Sequence, residues 1–201
     1  LILFGHSMGS LIVRAYMKRY DDKINGLIVC GSPSKRTTLP AEKLFIQLMI
    51  KLKGERYRSA FINRLSFGAY NKRFSQEKSE NAWICSDPQV VRAYDASEKC
   101  GFTFTLNGFM NVLNLMEKTY SKNYWQMKNR YVPILFIIGS DDPCAVDMEQ
   151  FKASVNFMCQ VGYENISNKI YPNVRHEILN DLSKNEVRSD MLAFIEQAIQ
   201  K

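Results

Sequence analysis

The first ten residues read Leu1-Ile2-Leu3-Phe4-Gly5-His6-Ser7-Met8-Gly9-Ser10, an apolar run that ends in the pattern Gly-x-Ser-x-Gly. This pattern is typical of a sharp turn from a strand into a helix, which presents a serine above a sheet. Gly5 and Gly9 flank Ser7, and we expect side chains at either position to collide as the turn closes. Ser7 is therefore a candidate nucleophile, and the Met8 backbone N–H is a candidate oxyanion donor. A glycine- and serine-rich turn without catalysis is the alternative.

Three further segments predict strands: residues 26–31, residues 132–138 and, less apolar, Ile166–Tyr171. Continuous apolar runs suit parallel strands that are covered on both faces. Each strand is followed, directly or at a distance, by a helical pattern. The strands thus alternate with helices, which predicts an α/β fold built on a parallel sheet. The predicted helices of this unit cover residues 11–20, 147–161 and 184–200. The first is expected to carry Leu11, Ile12, Ala15 and Tyr16 on one apolar face.

Residues 34–130 interrupt the alternation. They contain helical patterns over 41–53, 88–96 and 106–120 but no clear strand, which predicts an inserted helical cap over the sheet's carboxyl edge. The core would then consist of residues 1–33 and 131–201. The cap carries 17 Lys and Arg against 8 Asp and Glu, so its net charge is +9, whereas the remainder of the chain has a net charge of −2. Such a basic segment indicates contact with something anionic, or serves solubility alone.

Only two histidines can serve as a base for the serine, His6 and His176. Because adjacent side chains diverge, His6 cannot easily reach the hydroxyl of Ser7. His176 lies in a loop just after the fourth predicted strand, where the sheet's carboxyl edge would deliver it to the serine. A lone loop histidine is more often structural, but its pairing with the serine turn favours catalysis.

The acid that orients the histidine should follow the third strand. Asp141 and Asp142 both qualify, and Asp147 is a weaker candidate. A carboxylate there would accept the histidine Nδ1–H and stabilise the imidazolium. The alternative role for the adjacent pair is an Asx turn or a helix cap, and we expect one of the two aspartates to have that role and the other to be catalytic.

These motifs together resemble the α/β-hydrolase superfamily, in the branch of S33 serine aminopeptidase-like hydrolases, monoacylglycerol lipases and lysophospholipases. The matching segments are residues 5–10, 139–143 and 171–177, with cap segments 66–74 and 100–105 resembling bacterial, Firmicutes-type members. The resemblance implies nucleophile Ser7, acid Asp142 and base His176, with Met8 as one oxyanion donor. The choice of Asp142 rests on the family's Asp-Pro pairing. No metal ion or organic cofactor is implied.

The resemblance also implies an eight-stranded sheet, whose other oxyanion donor lies in a His-Gly loop upstream of the serine. We therefore expect the chain to be N-terminally truncated, comprising the carboxyl-terminal part of the fold with four parallel strands. On that expectation the apolar first strand would become a sheet edge, and the piece alone would be poorly soluble or inactive.

The function most consistent with these features is ester hydrolysis through an acyl-enzyme, with a monoacylglycerol or lysophospholipid as substrate. An S33-type aminopeptidase is the first alternative, although it needs acidic groups to hold a substrate ammonium and the cap is basic; Glu77, Glu80 and Asp87 are the candidates. A non-catalytic binding module with the same fold is the second alternative. Aromatic residues of the cap are candidates to line an acyl pocket: Phe61, Phe67, Tyr70, Phe74, Trp83, Phe102 and Phe104.

Binding partners and location follow from composition. The apolar segment 44–53 with flanking Lys and Arg indicates either peripheral contact with an anionic membrane surface or a helix packed on the cap. Nucleic acid is not expected, because no stacking or groove-reading motif is present. No run of about 18 apolar residues predicts a membrane span. Five cysteines without Cys-x-x-Cys spacing, together with two histidines, argue against a zinc site and favour reduced thiols in the cytoplasm.

Overall fold

A computed structural model of the chain, which describes residues 1–200, contains one sheet of four parallel strands. The strands are β1 (Ile2–His6), β2 (Gly26–Cys30), β3 (Ile134–Gly139) and β4 (Ile166–Tyr171), and they lie in the order β1-β2-β3-β4. In register, Gly5 lies opposite Val29, and Ile137 lies between Cys30 and Lys169. The predicted parallel α/β sheet is therefore confirmed, and β1 is paired on one side only within the described residues.

Seven α-helices accompany the sheet within residues 1–200. They are α1 (Met8–Tyr20), α2 (Leu39–Lys53), α3 (Ala60–Phe67), α4 (Pro88–Ala96), α5 (Leu106–Tyr120), α6 (Met148–Val161) and α7 (Lys184–Ile199). Six of them match the helical patterns of the sequence to within a few residues. The short α3 was not predicted; its N-terminus is capped by the Ser59 hydroxyl, which accepts the N–H of Ile62. No helix in residues 1–200 is long and apolar enough to cross a bilayer.

The sheet is covered on both faces. Every residue of β2 and β3 is buried, as expected for central parallel strands. On one face, Val29 and Phe136 pack in a cluster with Leu11 of α1 and Phe151 of α6. On the opposite face, a smaller cluster packs Ile28 and Cys30 of β2 and Leu135 and Ile137 of β3 with Val187 of α7. This layering holds the carboxyl ends of all four strands at one edge, where the loops carrying the candidate residues emerge.

Helix α1 packs differently from the sequence prediction. Leu11 is buried as expected, but Ile12 is 51% exposed, and Arg14 and Lys18 are buried instead. Both cations find partners from distant parts of the chain. The Arg14 guanidinium lies 4.4 Å from the centre of the Tyr120 ring, and the Lys18 ammonium donates to backbone carbonyl oxygens of α5's following loop.

We propose that residues 34–130 form the cap, since the part of the chain between β2 and β3 contributes α2 to α5 and no strand of the sheet. Helix α5 joins this segment to the core, because the Thr119 hydroxyl donates to the Leu11 carbonyl oxygen and Tyr120 donates to that of Pro33. An isolated antiparallel bridge pairs Arg58, just before α3, with Thr105, just before α5.

Candidate active site

Ser7 occupies the turn between β1 and α1. Its backbone has φ 55° and ψ −122°, a conformation that residues other than glycine rarely adopt. Two backbone bonds hold the turn: the Ser7 N–H donates to the Cys30 carbonyl oxygen at 3.0 Å, and the Ser10 N–H donates to the Ser7 carbonyl oxygen at 3.0 Å. Strain of this kind, held by the neighbouring strand, is common where a side chain is presented for chemistry.

The two glycines of the pattern have different environments. A Cβ on Gly5 would lie 2.5 Å from the Gly9 carbonyl oxygen and 2.6 Å from a methyl group of Val13, so only glycine fits there. The expected collision at Gly9 is wrong: no atom of residues 1–200 outside its own turn lies within 4 Å of a Cβ placed there. Gly9 shares the face of α1 that exposes Ile12, so the space beside it is open.

Met8 is the first residue of α1. The N–H groups of a helix's first turn lack partners within the helix and carry its positive dipole end. The Met8 amide therefore lies next to Ser7 and has no partner within the helix.

Asp142 and His176 form a hydrogen-bonded pair, called the dyad below. The His176 Nδ1 lies 2.9 Å from Asp142 Oδ2, and both residues are buried. The other carboxylate oxygen of Asp142 accepts the Cys144 N–H at 2.9 Å, which fixes the carboxylate plane and starts a short turn. The expected division of the two roles between Asp141 and Asp142 is therefore wrong, because Asp142 both caps the turn and contacts the histidine.

The other candidate acids are engaged elsewhere. Asp141 pairs with Arg73 of the cap at 3.0 Å, and Asp147 caps α6 by accepting the Gln150 N–H. Of the three aspartates considered from the sequence, Asp142 is the one in contact with His176.

Burial and charge act against each other in the dyad. Burial alone lowers the pKa of His176, but the Asp142 carboxylate outweighs it and holds this pKa well above its ordinary value. Burial likewise raises the pKa of Asp142, and the positive charge and hydrogen bond of His176 outweigh it, leaving this pKa below its ordinary value. Both shifts express one preference, since each partner is stabilised in its charged form by the other.

The second ring nitrogen of His176 faces a thiol. Its Nε2 lies 3.9 Å from the Cys144 sulphur, and no hydrogen bond joins it to Ser7 within the described residues. Burial raises the pKa of Cys144, which keeps this thiol protonated. Asp142, Cys144 and His176 each offer a metal-ligand atom within 4.8 Å of the others, but the histidine Nδ1 and a carboxylate oxygen are already used in the dyad.

Two residues support the dyad from neighbouring strands. Gly31, which follows β2 with φ 53°, lies so close that a Cβ would be 3.1 Å from Asp142 Oδ2 and 3.3 Å from His176 Nδ1. His6 contacts the same histidine, with its Nε2 3.1 Å from the His176 carbonyl oxygen. Because burial lowers the pKa of His6, we assign it as neutral and donating in this bond.

An unbroken series of aromatic contacts runs from His176 into the cap. Successive ring centres are 5.0 to 6.2 Å apart. It ends on Phe102, which is 55% exposed and 5.5 Å from the preceding ring. The series is His176, Trp83, Tyr70, Phe67, Phe109, Phe104 and Phe102. It includes five of the seven aromatics expected to line an acyl pocket; Phe61 is exposed outside it, and Phe74 is buried under Arg175.

Comparison with known families agrees with this geometry. The family model described as "Serine aminopeptidase, S33" matches residues 1–183, which is most of the chain. The chain belongs to this family. The match includes the serine turn, both loops of the dyad and the whole of the cap.

Solved structures of several hydrolases are similar to this chain. A thermostable carboxyl esterase from Bacillus coagulans, solved with glycerol, is 27% identical with a TM-score of 0.86 over 98% of this chain and 64% of its own. A monoacylglycerol lipase from Paleococcus ferrophilus is 16% identical with a TM-score of 0.70, covering 98% of this chain and 68% of its own. The monoglyceride lipase of Saccharomyces cerevisiae, bound to a substrate analogue, is 18% identical with a TM-score of 0.69, over 98% and 62%.

The two lipases share the α/β-hydrolase fold with this chain, and at such identities the likeness concerns the fold alone. The chain spans less than two thirds of the length of the Bacillus coagulans esterase.

Sequence reasoning missed several residues that contact the dyad. Gly31 directly follows the strand beside β1, and a glycine at that position can indicate a close approach of another group. Cys144 lies two residues after Asp142 and offered no separate signal. Trp83 was included only as one of many cap aromatics, because nothing local relates it to His176, which is 93 positions away.

Proposed function

We propose that this protein is a serine hydrolase that cleaves carboxylic esters, with Ser7 as nucleophile, His176 as base and Asp142 as the residue that orients the base. The observation that carries the proposal is the buried Asp142–His176 hydrogen bond at the sheet edge that also presents Ser7 in a strained turn. Family membership and the resemblance to the 27% identical esterase support the same reaction class.

In the proposed reaction, Ser7 Oγ attacks the ester carbonyl carbon while His176 Nε2 takes the hydroxyl proton. The resulting oxyanion is stabilised by the Met8 N–H. Collapse of the intermediate breaks the bond to the alcohol, which leaves with the proton from His176, and an acyl-enzyme remains. Water, deprotonated by His176, then releases the acid. The contact between Nε2 and Ser7 must tighten when substrate binds, which is common for catalytic hydrogen bonds absent from ligand-free structures.

The substrate class that we propose is a monoacylglycerol or a lysophospholipid. The aromatic series from Trp83 to Phe102 forms a continuous line of apolar rings from the dyad to the outside of the cap, and an acyl chain could follow this direction. The aminopeptidase alternative lacks such support. Glu77 is paired with Arg175 and Asp87 caps α4, so two of the three acids proposed to hold an ammonium group are engaged.

We also propose peripheral contact with an anionic membrane surface. Leu44, Leu48 and Leu52 are spaced by four residues on α2 and are 69%, 53% and 67% exposed. Lys51 and Lys53 lie in the last turn of the same helix. An apolar face beside cations is the pattern of helices that lie in a membrane interface. The proposed location is the cytoplasm, since all five cysteines are free.

The mechanism is tested in the protein as its gene encodes it. Ser7→Ala should lower kcat on p-nitrophenyl esters by about 10⁴-fold and abolish covalent labelling by a fluorophosphonate probe. Asp142→Asn should also lower kcat strongly, whereas the matched change Asp141→Asn should leave kcat within a few fold of the parent. Wild-type ester cleavage by Ser7→Ala would refute the mechanism. Absence of a probe adduct on the parent would favour the non-catalytic binding module, and faster cleavage of aminoacyl-p-nitroanilides than of esters would favour the aminopeptidase.

A further inference from the structure

The loop that carries His176 is fastened to the cap on both sides of the histidine. On one side, Arg175 donates from Nη1 to the carbonyl oxygens of Ala82, at 2.6 Å, and Cys85, at 3.0 Å. On the other side, the Glu177 N–H donates to the Ile84 carbonyl oxygen at 2.7 Å. The two residues on either side of the histidine therefore both donate hydrogen bonds to the short cap turn Ala82–Ile84.

That turn carries Trp83. The centre of its indole lies 5.1 Å from the centre of the His176 ring. The indole also contacts the Tyr70 ring, and these two ring centres are 5.0 Å apart. The imidazole thus has the dyad carboxylate at Nδ1 and a cap aromatic beside its ring. Its orientation depends on where the cap turn lies, as well as on Asp142.

A second buried carboxylate, Asp181, reinforces the attachment. Its Oδ2 accepts the backbone N–H groups of Ser86 in the cap, at 3.0 Å, and of Arg175 in the histidine loop, at 3.1 Å. The Ser86 hydroxyl and the Leu182 N–H donate to the other oxygen. Burial alone raises the pKa of Asp181, but these hydrogen bonds outweigh it and hold the pKa below its ordinary value. One ionised group therefore joins the two segments.

Arg175 is itself held in place by the cap. Its guanidinium lies 3.9 Å from the centre of the Phe74 ring, and it makes a two-point ion pair with Glu77. A planar cation with these partners has little freedom to rotate. The attachment consists of Arg175, Asp181 and their cap partners Ala82, Cys85 and Ser86, and is called the cap latch below.

We propose that Arg175 and Asp181 are positioning residues, which hold Trp83 against His176 through the cap latch and so align the base with Ser7. This inference rests on the proposed role of His176. Neither side chain contacts the dyad atoms directly, since both act through the backbone of the cap turn and of the histidine loop. Alignment of a base is sensitive to small displacements, so loosening the latch lowers the rate of the chemical step.

The test compares Asp181→Asn and Arg175→Lys with Asp190→Asn in the protein as encoded. Asp190 is a matched control, because it lies on α7 outside the latch and accepts hydrogen bonds from Lys169 and Tyr171 of β4. Each latch variant should lower kcat by about 10- to 100-fold with KM changed by less than about threefold. The control should keep both parameters.

A second measurement reports the contact itself without catalysis. Trp83 and Trp125 are the two tryptophans of the chain, so a Trp125→Phe background leaves Trp83 as the fluorophore. Protonated imidazole quenches indole fluorescence more strongly than the neutral ring, and the parent should therefore become brighter as pH rises through the pKa of His176. His176→Ala should abolish this step, and the latch variants should weaken it.

Parental kcat together with a parental fluorescence step in both latch variants would overturn the proposal. Should Asp181→Asn fail to give the parental circular dichroism spectrum, Ser86→Ala, which removes one donor and keeps the backbone bond, takes its place with a smaller expected loss. Failure of the proposed function can be distinguished from failure of the latch proposal. If Ser7→Ala keeps its activity, the proposed function fails, but the fluorescence test of the contact between Trp83 and His176 can still be carried out.

Discussion

Replacing Gly31 with alanine would put a methyl group against both partners of the dyad. The new Cβ would be 3.1 Å from Asp142 Oδ2 and 3.3 Å from Cε1 and Nδ1 of His176, where ordinary contacts begin near 3.4 Å. The carboxylate, the ring or both must then move by a few tenths of an ångström, and the hydrogen bond between them is only 2.9 Å long. Gly31→Ala should consequently weaken the dyad without removing any of its atoms.

The backbone adds a cost that must be separated from this effect. Alanine at φ 53° costs about 1–2 kcal/mol of stability relative to glycine. Gly101→Ala is a matched control, since Gly101 has φ 63° and its Cβ would meet only ordinary contacts at 3.7 Å or more. Both variants should lose similar stability in urea unfolding, read from the transition midpoint.

Activity should distinguish the two. Because a misplacement of about 1 Å can cost about 10²-fold, the smaller shift in Gly31→Ala should lower kcat on a p-nitrophenyl ester by about 10-fold or somewhat more. Gly101→Ala should stay within about twofold of the parent. A Gly31→Ala enzyme with parental kcat, despite the same loss of stability as its control, would refute the reasoning that this close approach fixes the dyad.

Three further predictions concern the pH dependence of activity, the pH dependence of stability and membrane binding. The proposed reaction needs neutral His176, and Asp142 raises the pKa of that ring. The value of kcat/KM should therefore rise with pH through a midpoint above the ordinary value of 6.5, and Asp142→Asn should move the midpoint to lower pH. Stability should change with pH in the opposite direction. The raised pKa of His176 stabilises the fold fully below pH 6.5, and this contribution should disappear as pH rises through the folded-state pKa. Urea unfolding of the parent and of His176→Ala at a series of pH values would measure the difference. Leu48→Gln should weaken sedimentation with vesicles of mixed neutral and anionic phospholipid by about tenfold, whereas Leu182→Gln, which changes a residue 72% exposed outside α2, should bind like the parent; equal binding by both variants would count against the α2 surface.

Local sequence was sufficient for the sheet and for most helices. Uninterrupted apolar runs identified β2 and β3, whose residues are all buried, and the glycine pattern identified the turn after β1. The short α3 escaped because eight residues with mixed polarity carry little periodic signal.

The packing of α1 was beyond the reach of periodicity. A hydrophobicity pattern assigns Arg14 and Lys18 to solvent, yet both are buried, and Ile12 is exposed. Their partners, the Tyr120 ring and the carbonyl oxygens of Ser121 and Asn123, lie about 100 positions away along the chain. Burial of a cation depends on such distant groups, which only the folded arrangement brings close.

The candidate site divides in the same way. The serine turn, the histidine and a small set of acids follow from local motifs. The support of the histidine loop by the cap depends on pairs such as Ser86 and Asp181, 95 positions apart, for which the sequence contains no local signal. The choice among the three aspartates also needed the structure. Asp142 contacts His176, whereas Asp141 forms an ion pair and Asp147 caps a helix.

The long connection between β2 and β3 has a consequence for folding kinetics. These strands are hydrogen-bonded neighbours, yet about a hundred residues separate Cys30 from Ile134. Closing a flexible loop of that length costs about 2 kcal/mol more than closing one of a dozen residues. Helices α2 to α5 can form from local contacts and shorten the effective loop before β3 arrives. Both members of the dyad follow that step in the chain, so recovery of the proposed esterase activity after dilution from urea should lag behind recovery of helical circular dichroism.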